Sequence, residues 1–193
     1  MLGKMPLRRG SFAPLIAALL ALLISGCGSS KSSNSSDANS AATGDIPDNQ
    51  VFLTYRNQAA GYSILYPEGW ARKGSATRTS FQDKNNLIRI VVKRGSQPTV
   101  ASVKSDLQKQ RAAAPSLNVA SAQALSIAGK PVVKVTYSSE STPNAVTGKR
   151  VKLVVDRYAY YKGGRVAIVD LGTAVGVDNV DAYRMISRSF KWR

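Results

Sequence analysis

The sequence predicts an α+β domain, a mainly antiparallel sheet of six or seven strands carrying two helices. Three observations predict it. Several runs alternate apolar and polar residues with the period of a half-buried strand; in the clearest, Ile88, Ile90 and Val92 fall on one face and Arg89, Val91 and Lys93 on the other. Only two segments show the spacing of an amphipathic helix. Short turns join most of the strand-like runs, and tight turns join antiparallel neighbours rather than crossovers.

The elements follow in order. Gly61 to Tyr66 alternates and is closed by Pro67, which lacks the N–H a ladder needs. Glu68 and Gly69 continue that turn, and Trp70 opens the next element. Thr77 to Gln82 reads as a short strand around Phe81, and Leu87 to Lys93 as a longer one broken by Gly95 to Pro98. Thr99 caps a helix running to about Ala113, with Val100, Val103 and Leu107 in one stripe, and Pro115 stops it. Val119 to Ile127 alternates weakly, and Gly129 marks a turn. Val132 to Tyr137 is a strand with Val133, Val135 and Tyr137 on one side, and Ser138 to Gly148 is a polar loop. Arg150 to Tyr161 and Arg165 to Gly172 are hairpin partners across Gly163 and Gly164. Asp178 caps a last helix with Val180, Tyr183 and Ile186 inward, and Asp181 complements its positive end. Phe190 and Trp192 close the chain as apolar anchors.

The beginning of the chain has a different character. Lys4, Arg8 and Arg9 precede an apolar run from Phe12 to Ile24, interrupted only by Pro14. Small residues then lead to Cys27, which completes the layout of a secretory signal. The run is short of the roughly 20 apolar residues that span a bilayer. Ile24-Ser25-Gly26-Cys27 resembles the bacterial lipobox. The resemblance implies that residues 1–26 are a lipoprotein signal peptide, with Ile24, Ser25 and Gly26 as the signal-peptidase motif. It also implies that Cys27 carries diacylglycerol and further acyl chains such as palmitate. Such an anchor would hold the protein on the extracytoplasmic face of the cell membrane. Gly28 to Gly44 is rich in Ser, Asn, Ala and Gly and cannot bury a core. Residues 27–50 therefore read as the lipidated cysteine and a tether, and residues 51–193 as one domain.

Composition narrows the chemistry. Cys27 is the only cysteine and there is no histidine, so disulfides, Cys/His zinc sites and a Ser–His triad are excluded. Residues 51–193 hold 23 Lys and Arg against 8 Asp and Glu. So basic a domain favours an anionic neighbour. Outside the cytoplasm that means lipid headgroups, envelope polymers or acidic proteins, and not nucleic acid.

Candidate sites are few. Asp156 and Asp170 are the only carboxylates on the long hairpin. A carboxylate pair can bind a hard cation or share acid–base work. Basic neighbours Arg157 and Lys152 favour structural ion pairs instead, so no metal or cofactor is expected. Tyr158, Tyr160 and Tyr161 form a candidate binding surface, because aromatics concentrate at interfaces. In a strand Tyr158 and Tyr160 share one face and Tyr161 takes the other. Trp70, Tyr62 and Tyr66 read as core and turn packing. Gly172 to Gly176 lacks the Gly-Lys-Ser/Thr ending of a phosphate loop and reads as a connector.

The segment GYSILYPEGW, Gly61 to Trp70, resembles the opening of PsbP-like domains, where a first strand runs into a Pro-x-x-Trp turn. The strand pair over 150–171, the ending SRSFKW at 187–192 and the order of elements resemble that family too. It includes PsbP proteins and Mog-type Ran-binding proteins, and the mycobacterial LpqN lipoproteins look similar in layout. The resemblance implies an α/β/α sandwich, a central antiparallel sheet flanked by two helices. Function does not follow from this fold, and histidines used in PsbP proteins have no counterpart here, so no binding residue is carried over. The expected role is a non-enzymatic binding or accessory module for an envelope or membrane protein. The alternatives are electrostatic binding to anionic lipid or envelope polymer, or carriage of a small apolar ligand in a pocket lined by Tyr158, Tyr160 or Trp70.

Overall fold

The computed structural model describes residues 44–193. Residues 1–26, read above as a signal peptide, and Cys27 lie outside the described residues, Ile24, Ser25 and Gly26 among them.

The strand-forming runs build a seven-stranded antiparallel sheet. Its members are β3 (Ala71–Gly74), β4 (Arg78–Asp83), β5 (Asn86–Arg94), β6 (Asn118–Ile127), β7 (Lys130–Glu140), β8 (Lys152–Lys162) and β9 (Arg165–Ala174), in the spatial order β3-β4-β5-β9-β8-β7-β6. The two helices, α1 (Val100–Gln110) and α2 (Val180–Ser189), flank this sheet as expected. A second sheet of three strands was not expected. It joins β1 (Phe52–Asn57), β2 (Tyr62–Pro67) and β10 (Lys191–Trp192). No strand was read over Phe52–Asn57 because most of its side chains stay exposed or half-exposed, leaving little apolar alternation.

The pleat sorts side chains into two cores. On one face Phe81, Ile88, Ile90, Val169 and Leu171 meet Tyr62 and Ile64 of the small sheet and Tyr183, Ile186 and Phe190 at α2. On the other face Val133, Val135, Val155 and Ala159 meet Val103 and Leu107 of α1. Each large apolar side chain taken out of water contributes about 1.5–3 kcal/mol.

Local chemistry sets the boundaries. Thr99 caps α1 through a capping box with Ser102: the Ser102 N–H donates to Thr99 Oγ1 at 3.1 Å, and the Thr99 N–H donates to Ser102 Oγ at 3.0 Å. The helix ends at Gln110, short of Ala113, because residues 111–113 continue only as turns. Strand β7 runs on to Glu140, so the polar loop begins at Ser141. The β8–β9 turn places Gly163 and Gly164 at φ 56° and 75°, a left-handed pair that glycine adopts without strain.

Two details at the last helix differ from expectation. Its N-cap is Asn179, although the Asp178 carboxylate does accept the Val180 N–H at 3.2 Å. Val180 is 61% exposed rather than inward. The Asn179 side chain makes no cap hydrogen bond because it is committed elsewhere. Its Oδ1 accepts the Ile46 N–H at 2.7 Å, and its Nδ2 lies 3.2 Å from the Gly44 carbonyl. Asn86 reaches the same carbonyl at 2.6 Å. Residues 44–50, upstream of Val51, are thus tied to the domain. A polar network, invisible to an apolar count, holds them.

Candidate functional site

The α1 face of the large sheet is only partly covered. Helix α1 packs over β6 and β7. A groove of about 600 Å³ lies beside the helix, and among the described residues no helix side chain lines it. Leu87, Arg89, Tyr137 and Val155 line it from β5, β7 and β8, and residues 141–144 of the β7–β8 loop line it from above. That loop is held by its own turns: the Asn144 side chain accepts the N–H groups of Val146 and Thr147, both at 2.9 Å.

Beneath the groove, behind Arg89, lie the most buried charges among the described residues. Register sets Arg89, Asp170 and Arg157 side by side on β5, β9 and β8. Arg157 donates from Nε to Asp170 Oδ1 at 2.7 Å and from Nη2 to Oδ2 at 2.9 Å. Arg89 donates from Nε and Nη2 to Oδ2 at 3.0 and 2.6 Å. Its side chain is 45% exposed, against 1% for Asp170. Arg157 also sits over the Tyr137 ring, 5.3 Å from its centroid.

Electrostatics lock these charges. Burial pushes the Asp170 carboxyl up, but the guanidiniums of Arg157 and Arg89 outweigh it and hold the group below the ordinary carboxylate value. Burial lowers both guanidiniums, and Asp170 more than restores them. Burial lifts the Tyr137 phenol to about 12, with Asp170 adding to the effect. Two cations share one anion, so the cluster keeps one positive charge in excess. All three groups keep their charge across the neutral range. They shape and polarise the groove rather than exchange protons with a ligand.

Asp156 does not pair with Asp170. It lies on the opposite face of β8, accepting from Thr136 Oγ1 at 2.6 Å and meeting Lys134 Nζ at 2.8 Å. The sheet separates the two carboxylates, so they cannot share a proton or a cation. Both are structural ion pairs, with Lys134 and not Lys152 as the partner of Asp156. Among the described residues no group of three or more Cys, Asp or Glu stands together as a metal site.

The three tyrosines do not form one surface. Tyr160 is buried and donates its hydroxyl to the Ser187 carbonyl at 2.7 Å, and burial pushes its phenol well up. Tyr158 is 6% exposed in the same core. Tyr161 points the other way, where its hydroxyl oxygen accepts the Gly164 N–H at 3.1 Å and steadies the hairpin turn. Trp70 is core, as expected. An edge of Tyr158 does reach a second cleft, about 330 Å³, beside the start of α2 with Leu171, Val177 and Tyr183. The residues that line the larger groove, Arg89 and Tyr137 above all, were not singled out in the sequence. The alternation places Arg89 only on the face opposite Ile88 and Ile90; the strand register reveals its buried partner.

The geometry can be set beside known proteins. No family model matches the chain, and no curated protein matches it by sequence. Solved structures do. The solution structure of cyanobacterial PsbP from Synechocystis sp. PCC 6803 matches with a TM-score of 0.57, 16% identity, and coverage of 78% of this chain and 98% of that one. The domain has the PsbP-type α+β fold. Weaker likenesses include the Saccharomyces cerevisiae Ran-binding protein Mog1p, at a TM-score of 0.49, 6% identity and coverage of 74% and 96%. A Pseudomonas aeruginosa protein of unknown function gives 0.46, 16%, 74% and 97%. At these identities the PsbP likeness concerns the fold alone.

Proposed function

We propose that this PsbP-type domain is a non-enzymatic binding module, held on the extracytoplasmic face of a membrane by lipid on Cys27, that docks an envelope or membrane protein in the groove beside α1. The groove carries the reading. It is wide, polar-walled and partly apolar at its base, as a protein-docking cleft is. The buried ionisable groups beneath it are tied to one another and hold fixed charge at neutral pH. Contact, and not proton transfer, is the use such a floor supports. The lipobox resemblance at Ile24 to Cys27 supports the anchor.

The test is crosslinking in the native cell, followed by purification from solubilised membranes and mass spectrometry. One envelope or membrane protein should be recovered with the unaltered chain. It should be lost when Ser139→Trp fills the groove, and retained when Ala124→Trp alters the distant edge strand β6. Equal recovery with both variants would remove the groove from the reading.

A further inference from the structure

The charges of the domain are sorted along its strands. The β8–β9 turn, the β6–β7 turn, the end of β5 and the start of β4 all lie at one end of the large sheet. Arg94 of β5 pairs in register with Arg165 of β9, and Arg165 with Lys162 of β8. Lys130 begins β7 and Arg78 begins β4 at the same end. Among the described residues none of these five cations makes an ion pair; the one pair nearby joins Lys93 to Asp106 at 3.0 Å. Arg78, Arg94, Lys130 and Lys162 are exposed. Arg165 is held over the Trp192 ring at 4.7 Å and donates to the Ala60 carbonyl at 3.2 Å, which fixes its place in the row.

Like charges placed directly opposite each other in a sheet are destabilising. Two consecutive like-charged pairings, with no carboxylate between them, make sense where an anion completes the row.

The other end is mixed. Asp45, Asp48, Asp178 and Asp181 gather around the start of α2, and Asp83 and Glu140 lie at the same end, beside Lys84, Lys149, Arg150 and Lys152. The chain joins the domain there, where Asn86 and Asn179 hold the Gly44 carbonyl. From Ala174 back to Arg165 the sheet extends about 30 Å at ~3.3 Å per residue. The cationic end is thus the end remote from the segment that leads to Cys27.

We infer that this end is a docking surface for a polyanionic envelope polymer with repeated phosphate or carboxylate groups. Gly44, where the described chain begins, is held at the carboxylate-bearing end, so that end is the nearer to Cys27 along the chain. The choice of polymer over bilayer rests on the lipid anchor proposed above; the charge pattern does not.

The test uses the full chain purified from membranes and placed in lipid nanodiscs, with long-chain polyphosphate and poly-glutamate as probes. Polymer binding should weaken about 50-fold between 50 and 200 mM salt, the loss expected when roughly four cations release condensed counterions. Lys130→Glu with Lys162→Glu should weaken it at least tenfold at low salt. Lys84→Glu with Lys152→Glu, an equal change of net charge at the other end, should alter it less than threefold. Affinity should be the same in phosphatidylcholine and phosphatidylglycerol nanodiscs. Equal losses from both double variants would show a diffuse charge effect and overturn the proposal. Loss of polymer binding in the anionic nanodiscs alone would show that the cationic end docks on the bilayer, which also overturns it. The pair Lys130→Gln and Lys162→Gln, at exposed turn positions, gives the same discrimination if a reversal impairs folding. A chain that carries no lipid fails the anchor reading separately, and its polymer binding is then measured free in buffer.

Discussion

Asp170→Asn is the substitution that most directly tests how this domain is held together. The carboxylate lies between Arg157 and Arg89 and is 1% exposed, while the Arg157 side chain is 5% exposed. Asparagine keeps the shape but removes the charge and offers one oxygen where two now accept four hydrogen bonds. Arg157 is then a buried cation without a counter-ion. Breaking such a pair costs about 3–5 kcal/mol. That is a large part of the ~5–15 kcal/mol that stabilises a typical domain. For a chain of this size it lowers Tm by about 10 °C. Arg89→Met should cost far less, about 1 kcal/mol, because Arg89 is half exposed and Asp170 keeps its bidentate partner. Urea unfolding followed by circular dichroism reads both. The pH dependence has a definite sign. The carboxyl titrates lower in the folded than in the unfolded chain, so its contribution is whole above the unfolded value near 3.8 and is lost as pH falls below it. Asp170→Asn should remove that part of the acid sensitivity. An Asp170→Asn protein within 1 kcal/mol of the parent, or an Arg89→Met cost equal to that of Arg157→Met, would refute the reasoning.

Other outcomes follow from single contacts. Cys27→Ser should block lipidation and leave a folded domain that is no longer tightly membrane-bound; a lipid-bearing Ser variant, detected by mass spectrometry, would end the anchor reading. Asn179→Ala unties Gly44 and Ile46, so limited proteolysis should cut within residues 44–50 while the rest of the domain resists. Tyr183→Phe removes the 2.6 Å donation to the buried Gly172 carbonyl and should cost about 1–3 kcal/mol in denaturant unfolding. Spectrophotometric titration should show one phenol ionising at about 12 that is absent from Tyr137→Phe. Gly74→Ala should destabilise the β3–β4 hairpin by about 1–3 kcal/mol, since Gly74 has φ 122° and a Cβ there would collide with the Arg78 carbonyl.

Much of the large sheet is legible in the sequence because its physics is local. Ile88, Ile90 and Val92 alternate since one side of β5 faces the core. Gly163 and Gly164 announce their turn because few other residues take a left-handed pair. Thr99 announces α1 because its hydroxyl answers a free N–H. Strand β1 was missed because its pairing with β2 is made by backbone groups, which every residue type carries. Val180 was misplaced because the turn that precedes α2 sets the rotation of the helix, and the spacing of apolar residues sets only the width of its stripe.

By itself the sequence determined the α+β class, the composition that rules out disulfides and histidine chemistry, and the excess of basic charge. These depend on residue type and on neighbours a few positions away. Only the tertiary structure decided where the charges act. Arg89 and Asp170 stand 81 positions apart and meet within one ladder, while Asp156 and Asp170, nearer in sequence, are kept apart by the thickness of the sheet. The groove, the charged floor beneath it and the cationic end of the strands are products of register. A strand side chain takes its face from the pleat and its partner from the neighbouring strand, and the partner is chosen by the whole fold.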